Sequence, residues 1–504
     1  MPTTEPTEVE LKLAVAASGL PRLRRGLDRF GPPLRTHVET IYYDTRDDLL
    51  AANGFALRLR RIGRRWVQTL KSEADAAALA RRGEWEWPLA QPVVDRARLA
   101  GTPLARLLAA HPRARLVERF RTRFVRHVWT VEEDGNRVEL ALDEGEIHAG
   151  GRSEAIRELE LELKAGRAQA LPALALRIAR AARGRSLALL PYGESKARRG
   201  QRLAAGAKPQ PVKANAQRIY AGLRADDGAV EALRRTVGRA TEVLLANAHG
   251  VLAHDDPEFV HQARVALRRM RSALRLLRRC AAFPAPLAAD LRWVARALGE
   301  ARDWDVLAGE TLPAFTASLE TDLAAACDRL RVQSERRRRQ ARDKARAALA
   351  SPRFAHAALR LLEWSAAPPG DGPTLRTLAP KLLKRQRARL FEAARGFAGL
   401  SAEQQHRVRI LAKRLRYALD FFAVALPQRA AAAYVKELAA LQDELGALND
   451  VAVARARLRR LLRPGALRDA LDAWAARMRR AHVLAAERRV ERLRRQPVPW
   501  RRDT

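Results

Sequence analysis

Cysteine is nearly absent: Cys280 and Cys327 are the only two in 504 residues. They give no disulfide framework and no cysteine-based metal centre. Long apolar runs are missing too. No stretch reaches the roughly 18 residues of a membrane span, and the N-terminus carries acids and prolines instead of a basic-then-apolar leader. We therefore expect a soluble, cytoplasmic chain with no membrane partner. Lysine is scarce, with eleven residues in an arginine-rich background. Each lysine hints at a position that prefers a compact ammonium to a planar guanidinium. Acids are outnumbered, 57 Asp+Glu against 95 Lys+Arg, which leaves a formal net charge of +38.

What is present argues for folded domains. Apolar residues make up 47% of the chain, which excludes general disorder, and the length allows two or three cores. The charge is uneven: residues 1–200 hold 36 basic and 26 acidic residues, and residues 201–504 hold 59 and 31. A region as basic as the second usually meets a polyanion.

The first 205 residues alternate with period 2, the signature of strands. Glu8-Val9-Glu10-Leu11-Lys12 puts two carboxylates and an ammonium on one face and aliphatic groups on the other. The pattern recurs with Arg58 and Arg60, with Glu84 and Glu86, with Arg121 and Arg123, and with Glu158, Glu160 and Glu162. Such faces are either the solvated outside of a barrel or the charged lining of a lumen whose apolar faces pack outward on helices. A lumen with both signs suits a metal–phosphate ligand. Carboxylates are hard donors for Mg²⁺ or Mn²⁺, and Arg and Lys take phosphate oxygens.

In order along the chain, Glu8-x-Glu10-x-Lys12, Tyr42-Tyr43-Asp44-Thr45, Leu57-Arg58-Leu59-Arg60, Thr69-Leu70-Lys71, Glu84-x-Glu86, Arg121-x-Arg123, Glu139 with Asp143, Glu158-Leu-Glu160-Leu-Glu162 and Ser195-Lys196-x-x-Arg199 resemble the CYTH superfamily, the triphosphate tunnel metalloenzymes. The resemblance implies an eight-stranded antiparallel β tunnel barrel with flanking helices. It implies that Glu8, Glu10, Glu158 and Glu160 hold the metal. Lys12, Arg58, Arg60, Lys71, Arg121, Arg123 and Lys196 would bind the triphosphate, with Glu84, Glu86, Glu139, Asp143 and Glu162 as further tunnel acids. One departure is Glu194, an acid beside Ser195-Lys196, which either weakens phosphate binding or faces out.

A Pro/Gly-containing stretch at 206–214 reads as a linker, and the period then changes to 3.6. Residues 215–495 are expected to be all-α, with breaks at Asp255-Asp256-Pro257, Phe283-Pro284, 368–370 and Pro427. An internal repeat is visible. His261 is followed by Arg264, Arg268 and Arg271, and His406 by Arg409, Lys413 and Arg416, at the same offsets. Leu298-Gly299 through Asp303 and Leu445-Gly446 through Asp450 form a second matched pair, Asp450 lying 147 residues after Asp303. Two copies, about 215–365 and 372–495, follow from this. Asp303 and Asp450 are expected to pair with a base or cap a helix. The Arg-rich run 335–346 is expected to be a solvated face. Two basic stripes facing each other repel unless an anion lies between them.

This half resembles the CHAD domain, the conserved-histidine α-helical domain. The resemblance implies two four-helix bundles and binding of inorganic polyphosphate by His261, Arg264, Arg268, Arg271, His406, Arg409, Lys413 and Arg416, with Lys384 as a further contact. The expected fold class is thus α+β multidomain, with the tunnel at 1–205. The expected function is metal-dependent hydrolysis of inorganic triphosphate to pyrophosphate and phosphate, joined to polyphosphate binding and, as a corollary, association with polyphosphate granules. Thiamine triphosphate or a nucleotide as substrate, and a non-catalytic polyphosphate scaffold, remain alternatives. Specific nucleic-acid binding is disfavoured, because the basic helices offer little aromatic stacking surface beyond Tyr417.

Overall fold

The computed structural model describes residues 7–72, 79–181, 187–368, 370 and 372–500. The chain divides into two compact units: Met1–Val212 with Ala248–Ala253 and Ala350–Ala367, and Lys213–Asn247 with His254–Leu349 and Pro368–Thr504.

The first unit is built on an antiparallel sheet. Its strands are β1 (Thr7–Ala14), β2 (Leu34–Asp44), β3 (Phe55–Ile62), β4 (Arg65–Ser72), β5 (Leu79–Leu89), β6 (Val117–Glu133), β7 (Asn136–Ala149), β8 (Arg152–Ala165) and the two-residue β9 (Leu190–Pro191). Their order is β5-β4-β3-β2-β6-β7-β8-β1-β9, and β1 also pairs with β5. Turn chemistry fixes the hairpins. Asp134 and Gly135 both take positive φ between β6 and β7, the geometry of a type I′ turn, whose twist matches the strands it joins.

Period-2 alternation then decides which side chains meet. Leu11, Leu13, Leu159 and Leu161 are fully buried on the outer side of β1 and β8, where α4 (Ala170–Ala181) covers both strands. Each such leucine contributes about 1.5–3 kcal/mol. The outer side of β3 to β5 packs Leu57, Leu70, Trp85 and Trp87 with Leu50 of α2 (Leu49–Ala52) and Leu104 of α3 (Pro103–Ala110). A further short helix, α1 (Leu20–Leu27), lies against α4. The inner side of the sheet carries the charges.

One end of the inner side is apolar. Phe120, Phe124, Tyr42, Ile147 and Ile156 cluster there with Ala197 of α5 (Lys196–Ala204). Ser195 caps α5 by accepting from the Arg198 N–H. The helix approaches the cluster so closely that a Cβ on Gly200 would lie 2.0 Å from Phe120 Cε2.

The remaining helices are α6 (Ala216–Ile219), α7 (Ala229–Ala253), α8 (Pro257–Leu276), α9 (Ala285–Val306), α10 (Leu312–Thr316), α11 (Thr321–Leu349), α12 (Pro352–Ala366), α13 (Leu375–Ala393), α14 (Ala402–Phe421), α15 (Gln428–Leu458) and α16 (Ala466–Arg495). Their breaks fall at the expected prolines: α8 opens at Pro257, and Pro284 and Pro427 precede α9 and α15. α12 belongs with the sheet unit, packing on α4 and β9. In the second unit α8 packs on α9 and α14, α13 on α14, and α15 on α14 and α16. The arginine-rich run is not wholly solvated. Arg338 and Arg342 both donate to buried Asp305 at 2.9 Å. No helix among the described residues is long and apolar enough to cross a membrane.

Replacing Gly200 with Ala should destabilise the chain by about 1–3 kcal/mol through overpacking, read as a lower urea midpoint; an unchanged midpoint would mean that α5 is not pressed on Phe120.

Candidate functional site

The inner side of the sheet encloses a cavity of about 360 Å³. Its lining includes Glu10 and Lys12 of β1, Arg58 and Arg60 of β3, Lys71 of β4, Glu84 and Glu86 of β5, Glu139 of β7, Glu160 and Glu162 of β8, and Lys196. The charged faces of these strands therefore point inward.

Behind one wall of the cavity lies an ion-pair knot. Asp143, Glu158 and Glu160 bring carboxylate oxygens within 4.8 Å of one another. Register explains the clustering, since Asp143 is directly opposite Glu158 on the neighbouring strand. Three buried carboxylates repel strongly, and burial of an unpaired one costs several kcal/mol. Cations offset this. Lys196 Nζ lies 2.7 Å from Asp143 and 3.0 Å from Glu160, and it contacts Glu158. Arg126 donates to Asp143 at 2.7 Å and to Glu160 at 2.6 Å. Arg199 reaches Glu158 at 3.2 Å and Glu154 at 2.7 Å. Burial pulls the Lys196 pKa down, but Asp143, Glu158 and Glu160 outweigh it and raise the ammonium above its usual range. Burial opposes ionisation of Glu160, yet Lys196, Arg126 and Lys12 hold it well below the usual carboxylate range.

A basic wall stands beside the knot. Lys12 is 3.2 Å from Glu10, and Glu84 is shared by Arg58 at 3.3 Å and Lys71 at 3.0 Å. Arg60 differs: its buried Nε has no hydrogen-bond partner among the described residues. Burial, with Arg58 and Arg126 nearby, lowers its pKa to about 10. A guanidinium held in this way is poised for an anion.

The structure brings together Glu10, Lys12, Arg58, Arg60, Lys71, Glu84, Glu86, Glu139, Glu160, Glu162 and Lys196 around the cavity, with Asp143 and Glu158 behind it. The side chain of Glu8 lies outside the described residues; its backbone pairs with Arg82. Arg121 and Arg123 are not in the lumen. They are exposed on the other face of β6, paired with Glu118 and Glu39. The sheet turns Phe120, Thr122 and Phe124 inward, opposite Tyr42, Thr40 and Val38, so β6 carries the reverse of the expected sidedness. Arg126, of the inward parity, is the basic residue that the alternation argument missed. Glu194 bonds Tyr192 at 2.6 Å and Arg202 at 3.1 Å, among the residues flanking α5 and apart from the cavity lining.

The acidic cluster fits a hard divalent ion. Its donors are all carboxylate oxygens, the type that Mg²⁺ and Mn²⁺ favour. The Lys196 ammonium supplies the positive charge at that position.

In the second unit the two basic stripes converge where α8 meets α14. Burial lowers the pKa of Arg264, of Arg409 and of Lys413, and the mutual repulsion of these groups and Arg268 adds to it. Lys413 falls to about 7. Arg268 donates to the Tyr417 hydroxyl. The other expected members point elsewhere. Arg271 feels Arg275 and Arg292, and Arg416 is 3.5 Å from Asp420. Lys384 is exposed on α13, and exposed His406 bonds Asn449 at 3.1 Å. His261 is half-buried near Arg302. Asp303 pairs with Arg457 at 3.3 Å, and Asp450 accepts from Asn449 at 3.2 Å.

Comparison with known proteins accords with both halves. The CYTH domain family matches residues 6–199 and the CHAD domain family matches residues 235–459. A curated inorganic triphosphatase of Haemophilus influenzae is 33% identical over 171 residues, covering 32% of this chain. The match spans 47% of that relative, about half its length. The crystal structure of a CHAD domain from the plant Ricinus communis is 33% identical, covers 56% of this chain and 97% of that chain, and superposes with a TM-score of 0.50.

Replacing Lys196 with Ala should destabilise the metal-free chain by about 3–5 kcal/mol, because three buried acids lose their shared cation. Added Mn²⁺ should restore the urea midpoint; failure to restore it would argue against ion binding at Asp143, Glu158 and Glu160.

Proposed function

The chain belongs to the proteins that join a CYTH domain to a CHAD domain, and from that premise we propose that its first domain hydrolyses inorganic triphosphate to pyrophosphate and phosphate with Mg²⁺ or Mn²⁺, while its second binds inorganic polyphosphate. We read 1–205 as the catalytic domain, 206–214 as the linker and 215–495 as the polyphosphate-binding domain. The observation that carries the catalytic reading is Arg60, a half-buried guanidinium whose Nε has no hydrogen-bond partner among the described residues, lining a cavity that is backed by a three-carboxylate cluster. The activity of the Haemophilus influenzae relative supports the same reading.

In this reading Arg58, Arg60, Lys71 and Lys12 grip phosphate oxygens, with Arg126 closing the site from β6. Asp143, Glu158 and Glu160 would hold the divalent ion, which when bound neutralises phosphate charge. Lys196 would then leave the acids for a phosphate oxygen. A lining carboxylate such as Glu84 or Glu86 would orient the attacking water. The finer architecture belongs to the same proposal: the β1–β5 ladder supports an eight-stranded tunnel barrel, and the repeat supports two four-helix bundles. Inorganic triphosphate is favoured over a nucleotide. Tyr42, the aromatic group of the lining, is buried and already gives one face to Phe120, 4.4 Å away. For the second domain, the clustered cations Arg264, Arg268, Arg409 and Lys413 support a polyanion, which would relieve their repulsion.

Arg60→Ala should lower kcat/KM for triphosphate about 10²–10³-fold, the loss typical of one oriented charge-stabilising donor. Arg123→Ala, on the outer face, should leave it within about twofold. Equal losses would contradict the assignment of the cavity.

Polyphosphate affinity should fall as pH rises from 6 to 8.5, because Lys413 loses its charge near pH 7. Binding above pH 7 should take up a proton, read by calorimetry in buffers of different ionisation enthalpy, and Lys413→Arg should flatten the profile. A pH-independent wild type would remove Lys413 from the site.

A further inference from the structure

The second helical copy holds a cavity whose lining shares His406 and Arg409 with the expected polyphosphate residues and is otherwise unused by the reading above. It measures about 560 Å³ and lies among α14, α15 and α16, a size suited to an organic ligand. Its floor is apolar, made by Leu445, Leu448 and Val451. Around it stand Arg409, Arg455, Arg459 and Arg479 against one carboxylate, Asp472.

The arginines are underused. Asp472 serves both Arg455, at 2.7 Å, and Arg459, at 3.4 Å. Arg479 donates to Gln405 at 3.3 Å, and the buried Nε of Arg409 has no partner among the described residues. Arg455 and Arg479 are exposed and Arg459 half-buried, so this surplus positive charge stands open to an anion.

The internal repeat differs between its copies at these positions. At the 147-residue offset between Asp303 and Asp450, the first copy has Trp304 where the second has Val451. It has Ala308 and Leu312 where the second has Arg455 and Arg459. Trp304 and Leu312 are buried in an apolar cluster that also takes in Val451, Leu458 and Trp474 of the second copy. The second copy thus carries a smaller side chain and two guanidiniums at positions where the first carries a large ring and apolar groups.

A ligand must answer both features. An inorganic phosphate leaves the floor unused, and an aliphatic or aryl monocarboxylate cannot answer four guanidiniums. A nucleotide answers both: phosphates on the arginines, a planar base on Leu445, Leu448 and Val451, and a base N–H donated to Asp472. We propose that this cavity binds a nucleoside di- or triphosphate. Arg409 belongs also to the polyphosphate cluster, so the two ligands compete for that guanidinium. The proposal stands whether or not the sheet unit hydrolyses triphosphate.

The test is calorimetric titration of the full-length protein with ADP in EDTA, with pyrophosphate and adenosine as controls. ADP should bind more tightly than either. Ala452→Trp, which fills the cavity, and Arg459→Leu, which restores the first copy's residue, should each weaken ADP about tenfold, a loss of ~1.4 kcal/mol, and leave polyphosphate affinity within about twofold. Arg60→Ala should leave ADP binding unchanged. The proposal is overturned if ADP does not bind at millimolar concentration, if pyrophosphate binds as tightly, or if Arg60→Ala abolishes ADP binding while both cavity variants retain it. Should Ala452→Trp fail to fold, Arg459→Leu alone decides.

Discussion

Three carboxylates buried side by side cannot persist without a cation, and the sheet domain is arranged around that constraint. Asp143, Glu158 and Glu160 come from two adjacent strands in fixed register, so their repulsion is built into the ladder. Lys196, Arg126 and Arg199 balance it from β6 and α5. The position of α5 follows. Ser195 caps it, Lys196 must reach the acids, and Gly200 lets the helix lie on Phe120. Replacing buried charge by apolar packing is often neutral or stabilising, so stability alone does not call for this knot; in the proposed reading its cation exchanges for a metal ion.

Much of this was legible in the sequence. Alternation on β1, β3, β4, β5 and β8 gave Glu10, Lys12, Arg58, Arg60, Lys71, Glu84, Glu86 and Glu160 one common side, because the apolar residues alternating with them needed burial. β6 was read backwards for a physical reason. Its apolar positions, Phe120 and Phe124, fill the inner end of the sheet instead of the helix-covered outside, and alternation alone cannot tell two buried faces apart. The same parity would have found Arg126. That Lys196 sits among acids was not readable, since it depends on where α5 docks.

In the helical domain, spacing placed the basic groups on one face of each helix, and the repeat made their convergence expected. Which of them converge depends on how α8 meets α14, so Arg271, Arg416 and Lys384 fell outside the cluster. The cavity among α14, α15 and α16 was invisible because three distant segments form it. On the proposed reading the two domains would handle anions differently. The sheet cavity mixes acids and bases, so a highly charged phosphate would need a divalent ion to enter. The helical cluster is mostly cationic, so it would need only the polyanion, and its affinity should weaken steeply with salt.

The most direct measurement is phosphate release by the full-length protein with Mg²⁺ or Mn²⁺, compared across inorganic triphosphate, ATP, thiamine triphosphate and long-chain polyphosphate. Metal-dependent turnover of inorganic triphosphate, well above the other three, is the expected result. Turnover led by ATP or thiamine triphosphate, or no metal-dependent release from any of them, would contradict it.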